Sequence, residues 1–246
     1  MRTLAVAVLA AAFASCEGGA DRPAEVLPDL DQVAPRALSV VVDGGGRERL
    51  VFISAVENVG RGPLVISGTR EETLEPEMSA RQVVTQAGGG TVERPLRLRL
   101  RFVVSETHRH WHLLDFESYE LHTIAGDLVG DDRKTGFCLG DRYNADGRVR
   151  IPGEPPQAVW VGNCSKDKPE RLRVTEGISP GYGDDYVPRL EGQSIDITDL
   201  PAGRYVLRHR VNVGHALRES SYEDNGAFVI FDLRWSRAGT PRVGQV

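Results

Sequence analysis

The sequence predicts an all-β protein, an antiparallel β-sandwich with long irregular loops. Two observations carry this. Short runs rich in β-branched and aromatic residues recur about every ten residues, each closed by a turn rich in glycine, aspartate or asparagine. No stretch shows a convincing helical pattern, and there is no internal repeat. At 246 residues the chain has ample length for a core and fits one large or two small domains. Its hydrophobic share of 40% and charged share of 26% are those of an ordinary soluble globular protein. A net charge of -5 argues against a nucleic-acid partner, which would need a basic face, and is compatible with cationic partners.

The N-terminus reads as an address. Arg2 precedes an apolar stretch, Leu4 to Ala14, that suits a signal h-region and is too short to span a bilayer. Phe13-Ala14-Ser15-Cys16, followed by Glu17-Gly18-Gly19, resembles a bacterial lipoprotein cleavage box. Residues 1–15 are therefore expected to be a signal peptide, with Cys16 lipidated as the sole membrane contact; secretion without an anchor is the alternative. Export places Cys138 and Cys164 in an oxidising compartment, where they are expected to form a disulfide, or else to stand as buried free thiols.

Residues 16–35 are polar and punctuated by Pro23, Pro28 and Pro35, consistent with a tether. Strands are then expected at 38–42, 50–56 and 64–66, with turns at 43–46 and 60–62. Residues 69–81 are charged and irregular and read as a surface loop. Residues 82–86 and 91–98 flank Gly88-Gly89-Gly90 as a hairpin. Further strands are expected at 116–123, 170–175, 194–198, 205–213 and 227–235. Residues 130–168 have little periodicity, and so long an irregular stretch in a compact domain is usually functional. Residues 179–186 read as loop, and 237–246 as a flexible tail.

The chemistry concentrates at His108-Arg109-His110-Trp111-His112, which holds half of the six histidines. On a β-strand the three imidazoles point one way, and Arg109 and Trp111 the other. Residues two apart on a strand are separated by roughly 6.5–7 Å, so one ion above His110 is within reach if the outer rings lean inward. Imidazole suits copper or zinc, whereas magnesium and calcium prefer oxygen. The run sits in an apolar context, Phe102-Val103-Val104 before it and Leu113-Leu114 after it, which favours a metal site over a solvated histidine tract.

The stretch from His108 to Phe116 resembles the copper-binding segment of lysyl oxidases, H-x-H-[YW]-H followed by Asp and Phe. Lys134-Thr135-Gly136-Phe137-Cys138-Leu139 is similar to that family's K-x-x-F-C-L. Gly177-Ile178-Ser179-Pro180-Gly181 and Gln193-Ser194-Ile195-Asp196-Ile197-Thr198-Asp199 resemble its G-[IL]-S-P-G and Q-x-I-D-I-T-D blocks. Gly203-Arg204-Tyr205-Val206-Leu207 and Glu219 to Asn225 resemble two blocks near the family's end, so that six blocks fall in the family's order. The resemblance implies that residues 36–236 form one lysyl oxidase-like sandwich whose loops carry a copper and quinone site.

The resemblance implies a copper-dependent amine oxidase acting on primary amines, peptidyl lysine among them, with O2 as oxidant. Copper would be held by His108, His110 and His112. Lysine tyrosylquinone would form from Lys134 and Tyr186, with Tyr182 the other candidate tyrosine. Such a quinone presents an electrophilic carbonyl to a substrate amine, and turnover yields aldehyde, ammonia and hydrogen peroxide. Asp115, Asp184 and Asp185 are candidate proton acceptors, while His122, His209 and His215 read as packing or surface residues. Two other readings remain. One is a copper-binding or adhesive module without the quinone; the other is a three-histidine zinc hydrolase, which lacks a glutamate at zinc-peptidase spacing.

Overall fold

A computed structural model describes residues 24–105, 108–132, 136–145, 150–188, 190 and 192–246. The described residues contain no helix. The strands, in chain order, are β1 Glu25–Val26, β2 Leu30–Val42, β3 Glu48–Asn58, β4 Leu64–Thr69, β5 Glu77–Gln86 and β6 Thr91–Val104. Then come β7 Arg109–Leu113, β8 Glu117–Thr123, β9 Leu128–Asp132, β10 Tyr143–Asn144, β11 Arg173–Ile178 and β12 Tyr182–Tyr186. The last are β13 Ser194–Asp196, β14 Gly203–Val211, β15 Gly226–Trp235 and β16 Pro241–Gln245.

These strands form three antiparallel sheets, in the orders β11-β4-β5-β6-β7, β10-β12-β3-β13 and β16-β15-β14-β8-β9; β1 joins the first beside β5 and β2 joins the second beside β3. The burial patterns explain the arrangement. Strands β5 and β14 alternate buried with more exposed positions, as sheets with one covered face do. Leu50 to Val56 of β3 is almost wholly buried, so this apolar run lies at the centre. Phe52, Trp111, Phe116, Tyr119, Phe137 and Phe231 are the bulkiest of the fully buried side chains.

Several sequence expectations are corrected. Residues 25–35 are not tether: β1 pairs with β5, and β2 begins at Leu30, which is fully buried. Pro35 marks an irregularity rather than a break, since the β2–β3 register shifts between Val33 and Arg36, where a residue without an N–H is tolerated. Glu77 to Ala80, read as loop, belong to β5, whose burial alternates despite their charge. Residues 182–186, read as loop from their glycine and aspartates, are strand β12 paired with β3. Residues 241–245 of the expected tail form β16 on the edge of β15. The signal peptide of residues 1–15 and Cys16 lie outside the described residues.

A buried carboxylate ties the C-terminal motif block to the N-terminal strand. Glu219 accepts from the Leu30 amide at 2.7 Å, from Asn212 Nδ2 at 2.6 Å and from Asn225 Nδ2 at 2.8 Å. Burial raises its pKa to about 7 even against these three donors. Glu219 and Asn225 of the E-S-S-Y-E-D-N block therefore act as a structural clamp.

Candidate metal and quinone site

Strand β7 is short and sits at the edge of its sheet, with His110 opposite Val103 and His112 opposite Arg101. Trp111 faces away from the histidines into the core, edge-on to Phe102 at 5.8 Å and under the Arg70 guanidinium at 4.7 Å. Arg109 pairs with Asp167 at the surface. Anchoring the alternate residues in this way fixes which way the imidazoles face.

The three imidazoles converge. Ring centroids are 5.3 Å apart for His108 and His110, 5.0 Å for His108 and His112, and 4.7 Å for His110 and His112. One nitrogen from each lies within 4.8 Å of the others, with His108 and His112 buried and His110 half-buried. Two donors sharing an ion about 2 Å away are separated by at most about 4 Å, so small ring rotations fit this set to copper or zinc.

The segment after Lys134 is moulded to this strand. Gly136 has φ +108, and a β-carbon there would meet the Leu113 carbonyl at 2.5 Å and His112 Cβ at 2.9 Å. Only glycine fits. Phe137 then exchanges backbone hydrogen bonds with Leu113, at 2.8 and 2.9 Å. Its ring packs edge-on against Tyr186 at 4.7 Å and against Phe116 at 5.5 Å. Lys134 itself lies outside the described residues, but Phe137, three positions on, links the histidine strand to the tyrosine strand.

Tyr186 is 6% exposed at the end of β12. Its hydroxyl lies 3.0 Å from both Asp184 Oδ2 and the Cys138 carbonyl, so one proton is shared between two acceptors. Burial, then the negative charge of Asp184, pushes its pKa well above the ordinary tyrosine value, so the phenol is protonated at neutral pH. Tyr182, the other candidate, lies four residues along the same strand, roughly 13 Å away. The contact with Phe137 belongs to Tyr186.

The three candidate proton acceptors separate cleanly. Asp115 is exposed, holds a left-handed φ of 57° and lines a surface pocket with Ser118, Glu120 and Arg210. Asp185 is half-buried on the opposite side of β12 from Tyr186. Asp184 alone bonds to the tyrosine hydroxyl, and it is 1% exposed.

Cys138 and Cys164 form a disulfide with a Cα–Cα distance of 5.6 Å. Because the Cys138 carbonyl accepts from Tyr186, this bridge also steadies the site. Asp141 organises the surrounding loop by accepting from the amides of Val159, Trp160 and Ser179 and from the Ser179 hydroxyl. Removing the bridge with Cys138→Ser and Cys164→Ser is expected to cost about 3–4 kcal/mol for a closed loop of this length, measured by urea unfolding.

Sequence reasoning missed the buried polar groups around the tyrosine. Arg142 Nε lies 3.5 Å from Asp184 Oδ1 and balances its charge. Glu117 accepts from His209 Nε2 at 2.5 Å and from the Tyr119 hydroxyl at 3.2 Å. Gln32 Nε2 donates to the Ala55 carbonyl and to His209 Nδ1, which fixes His209 with its proton on Nε2. Tyr119 also bonds Ser54, the cross-strand partner of Tyr186, so this network adjoins the tyrosine. His209 is thus a buried network residue, while His122 bonds Glu120 and His215 stacks on Tyr222, as packing and surface roles require. No spacing signal marks Glu117 or Arg142, because Glu117 lies on a strand of another sheet and Arg142 in the coil just before β10, so only the folded packing brings them near.

Glu176 is a further buried carboxylate, 2% exposed, with an oxygen within 4.8 Å of both disulfide sulfurs. Burial, then the Asp184 charge, raises its pKa well above 4.5, so the folded protein holds its proton more tightly than the unfolded chain. Its contribution to stability is full below about pH 4.5 and is lost as pH rises toward the folded-state value. Glu176→Gln is expected to flatten this decline, read as unfolding free energies compared at about pH 5 and about pH 8.

An all-β fold of three antiparallel sheets carries three convergent histidines, a candidate metal site, and a buried tyrosine joined to them through Phe137. The family model for lysyl oxidase matches residues 79–238, and the chain belongs to that family. It is 28% identical over 133 residues to lysyl oxidase homolog 2 of Bos taurus, covering 54% of this chain and 15% of that protein. It is 31% identical over 144 residues to protein-lysine 6-oxidase of Gallus gallus, covering 58% of this chain and 30% of that protein. With lysyl oxidase homolog 1 of Homo sapiens it shares 31% identity over 133 residues, 53% of this chain and 20% of that protein. The chain thus spans less than a third of the length of these relatives.

Proposed function

We propose that this chain is an exported copper-dependent amine oxidase that converts primary amines, peptidyl lysine among them, to aldehydes with release of ammonia and hydrogen peroxide. The observation that carries the reading is the continuity of His112, Gly136, Phe137 and Tyr186, which joins the histidine cluster to the tyrosine through direct packing. His108, His110 and His112 are the proposed copper ligands, and Lys134 with Tyr186 the source of lysine tyrosylquinone. When bound, copper and the quinone supply the oxidation of the amine at the expense of O2. The chain's own part is to bury the tyrosine, hold its oxygen between Asp184 and the Cys138 carbonyl, and exclude bulk water with Phe116 and Phe137. The disulfide suits an oxidising compartment. Residues 1–15 as signal peptide and Cys16 as lipid anchor complete the proposal.

Two measurements on copper-loaded protein test it. Phenylhydrazine should give a coloured adduct, and a digest should contain a cross-linked peptide joining Lys134 to Tyr186. Separate, unmodified Lys134 and Tyr186 peptides from fully metallated, oxygen-exposed protein would leave a copper-binding module in its place.

A further inference from the structure

We propose that Asp184 is the base that takes the phenolic proton of Tyr186 while the quinone matures. The inference rests on the amine-oxidase reading and names a residue that neither motif nor family match assigns. Any oxidation of the Tyr186 ring begins from a phenol that must shed its proton. The site is dry, with Tyr186 6% and Asp184 1% exposed, so bulk water is poorly placed to accept it. Among the described residues the Cys138 carbonyl and Asp184 Oδ2 touch the hydroxyl, each at 3.0 Å. Of these two, the Cys138 carbonyl is too weak a base to keep a proton, whereas the carboxylate can hold it.

The surroundings of Asp184 suit that task. Its Oδ2 also accepts from the Gly140 amide at 3.1 Å, and its Oδ1 faces Arg142 Nε at 3.5 Å. These partners fix the carboxylate so that Oδ2 is presented to the tyrosine. The step is a simple transfer: the O–H bond of Tyr186 breaks, a bond forms from the proton to Asp184 Oδ2, and the negative charge moves to the phenolate oxygen. The total charge of the pair is unchanged, and Arg142 stays beside it throughout. In the metal-free protein the transfer is uphill, because buried tyrosine is far the weaker acid. A cation held by His108, His110 and His112 would add positive potential that lowers the cost of the phenolate.

Asp184→Asn keeps the size and removes the basicity. Apoprotein of the wild type and this variant would be loaded with copper in air, and the growth of quinone colour and phenylhydrazine adduct followed in time. The variant is expected to bind copper normally and to mature about 100-fold more slowly, the usual weight of a positioned base. Asp184→Glu, which keeps the carboxylate, should mature faster than Asp184→Asn. A second readout needs no activity: in metal-free protein the ultraviolet tyrosinate titration of Tyr186 should shift to lower pH in Asp184→Asn, since a neighbouring negative charge is gone.

The wild type gives a test that does not depend on any variant folding. With copper kept saturating at every pH, because imidazole ligands also take up protons in acid, its maturation rate should fall at acid pH. Asp184→Asn should lack that limb. Among the described residues Arg142, Glu176 and Glu117 are charged or titratable groups around the pair, and Glu176→Gln should leave that acid limb in place. Maturation of Asp184→Asn at the wild-type rate, equal slowing in Asn and Glu variants, or a wild-type rate indifferent to acid would each overturn the assignment. Failure of the copper-loaded wild type to form any adduct is a different result, which overturns the amine-oxidase reading and this assignment with it.

Discussion

Tyr186→Phe is expected to leave a folded, copper-binding protein with no amine oxidase activity. The phenol oxygen is the atom from which the quinone would be built, and phenylalanine cannot supply it. Loss of turnover by about 10⁴-fold or more is the scale expected when a covalent catalyst is removed. The structural cost is small by comparison. Asp184 keeps the Gly140 amide and Arg142, and the Cys138 carbonyl loses one donor, so the variant should be destabilised by about 1–2 kcal/mol. Peroxide release in a coupled assay, with urea unfolding as the control, separates the two effects. Turnover near the wild-type level would move the cofactor to another tyrosine. Tyr182→Phe is the paired control and should retain activity.

His112→Ala should have the second largest effect. His112 is 2% exposed and sits at the centre of the site, with ring centroids 5.0 Å from His108 and 4.7 Å from His110 and its Cβ packed beneath Gly136. Removing one of three imidazoles should weaken copper binding by more than the 10–100-fold typical of losing an outer-shell partner. Competition with a chelator of known affinity measures this directly. Without metal no quinone should form, so the phenylhydrazine adduct should vanish together with copper occupancy. In the wild type, copper affinity should itself fall on acidification, because ligating imidazoles must be neutral. Unchanged copper affinity in His112→Ala would remove the histidine cluster from the proposal.

The all-β class was legible because alternation and turn residues recur along most of the chain. The strand limits were less so. Charge disguised the first half of β5, where Glu77 pairs with Arg101 across the sheet and so sits comfortably on an exposed face. Glycine and two aspartates disguised β12, because the sequence does not show that Arg142 and the Tyr186 hydroxyl partner Asp184. Prolines disguised the start of β2, since an irregular register absorbs Pro35 without ending the strand.

The sequence by itself determined the parts of the candidate site: three histidines with strand spacing and a cysteine pair that does close. Each of these is a local pattern or a chemical identity, which a linear reading can see. Tertiary structure decided which aspartate touches the tyrosine hydroxyl. Asp115, Asp184 and Asp185 are alike on paper, but the fold leaves one exposed in a turn, half-buries another and seats the third against a tyrosine hydroxyl. It also assembled the Glu117–His209–Gln32 network from strands up to 177 positions apart. Basicity and proton affinity depend on burial and on partners across sheets, and those are properties of the folded arrangement.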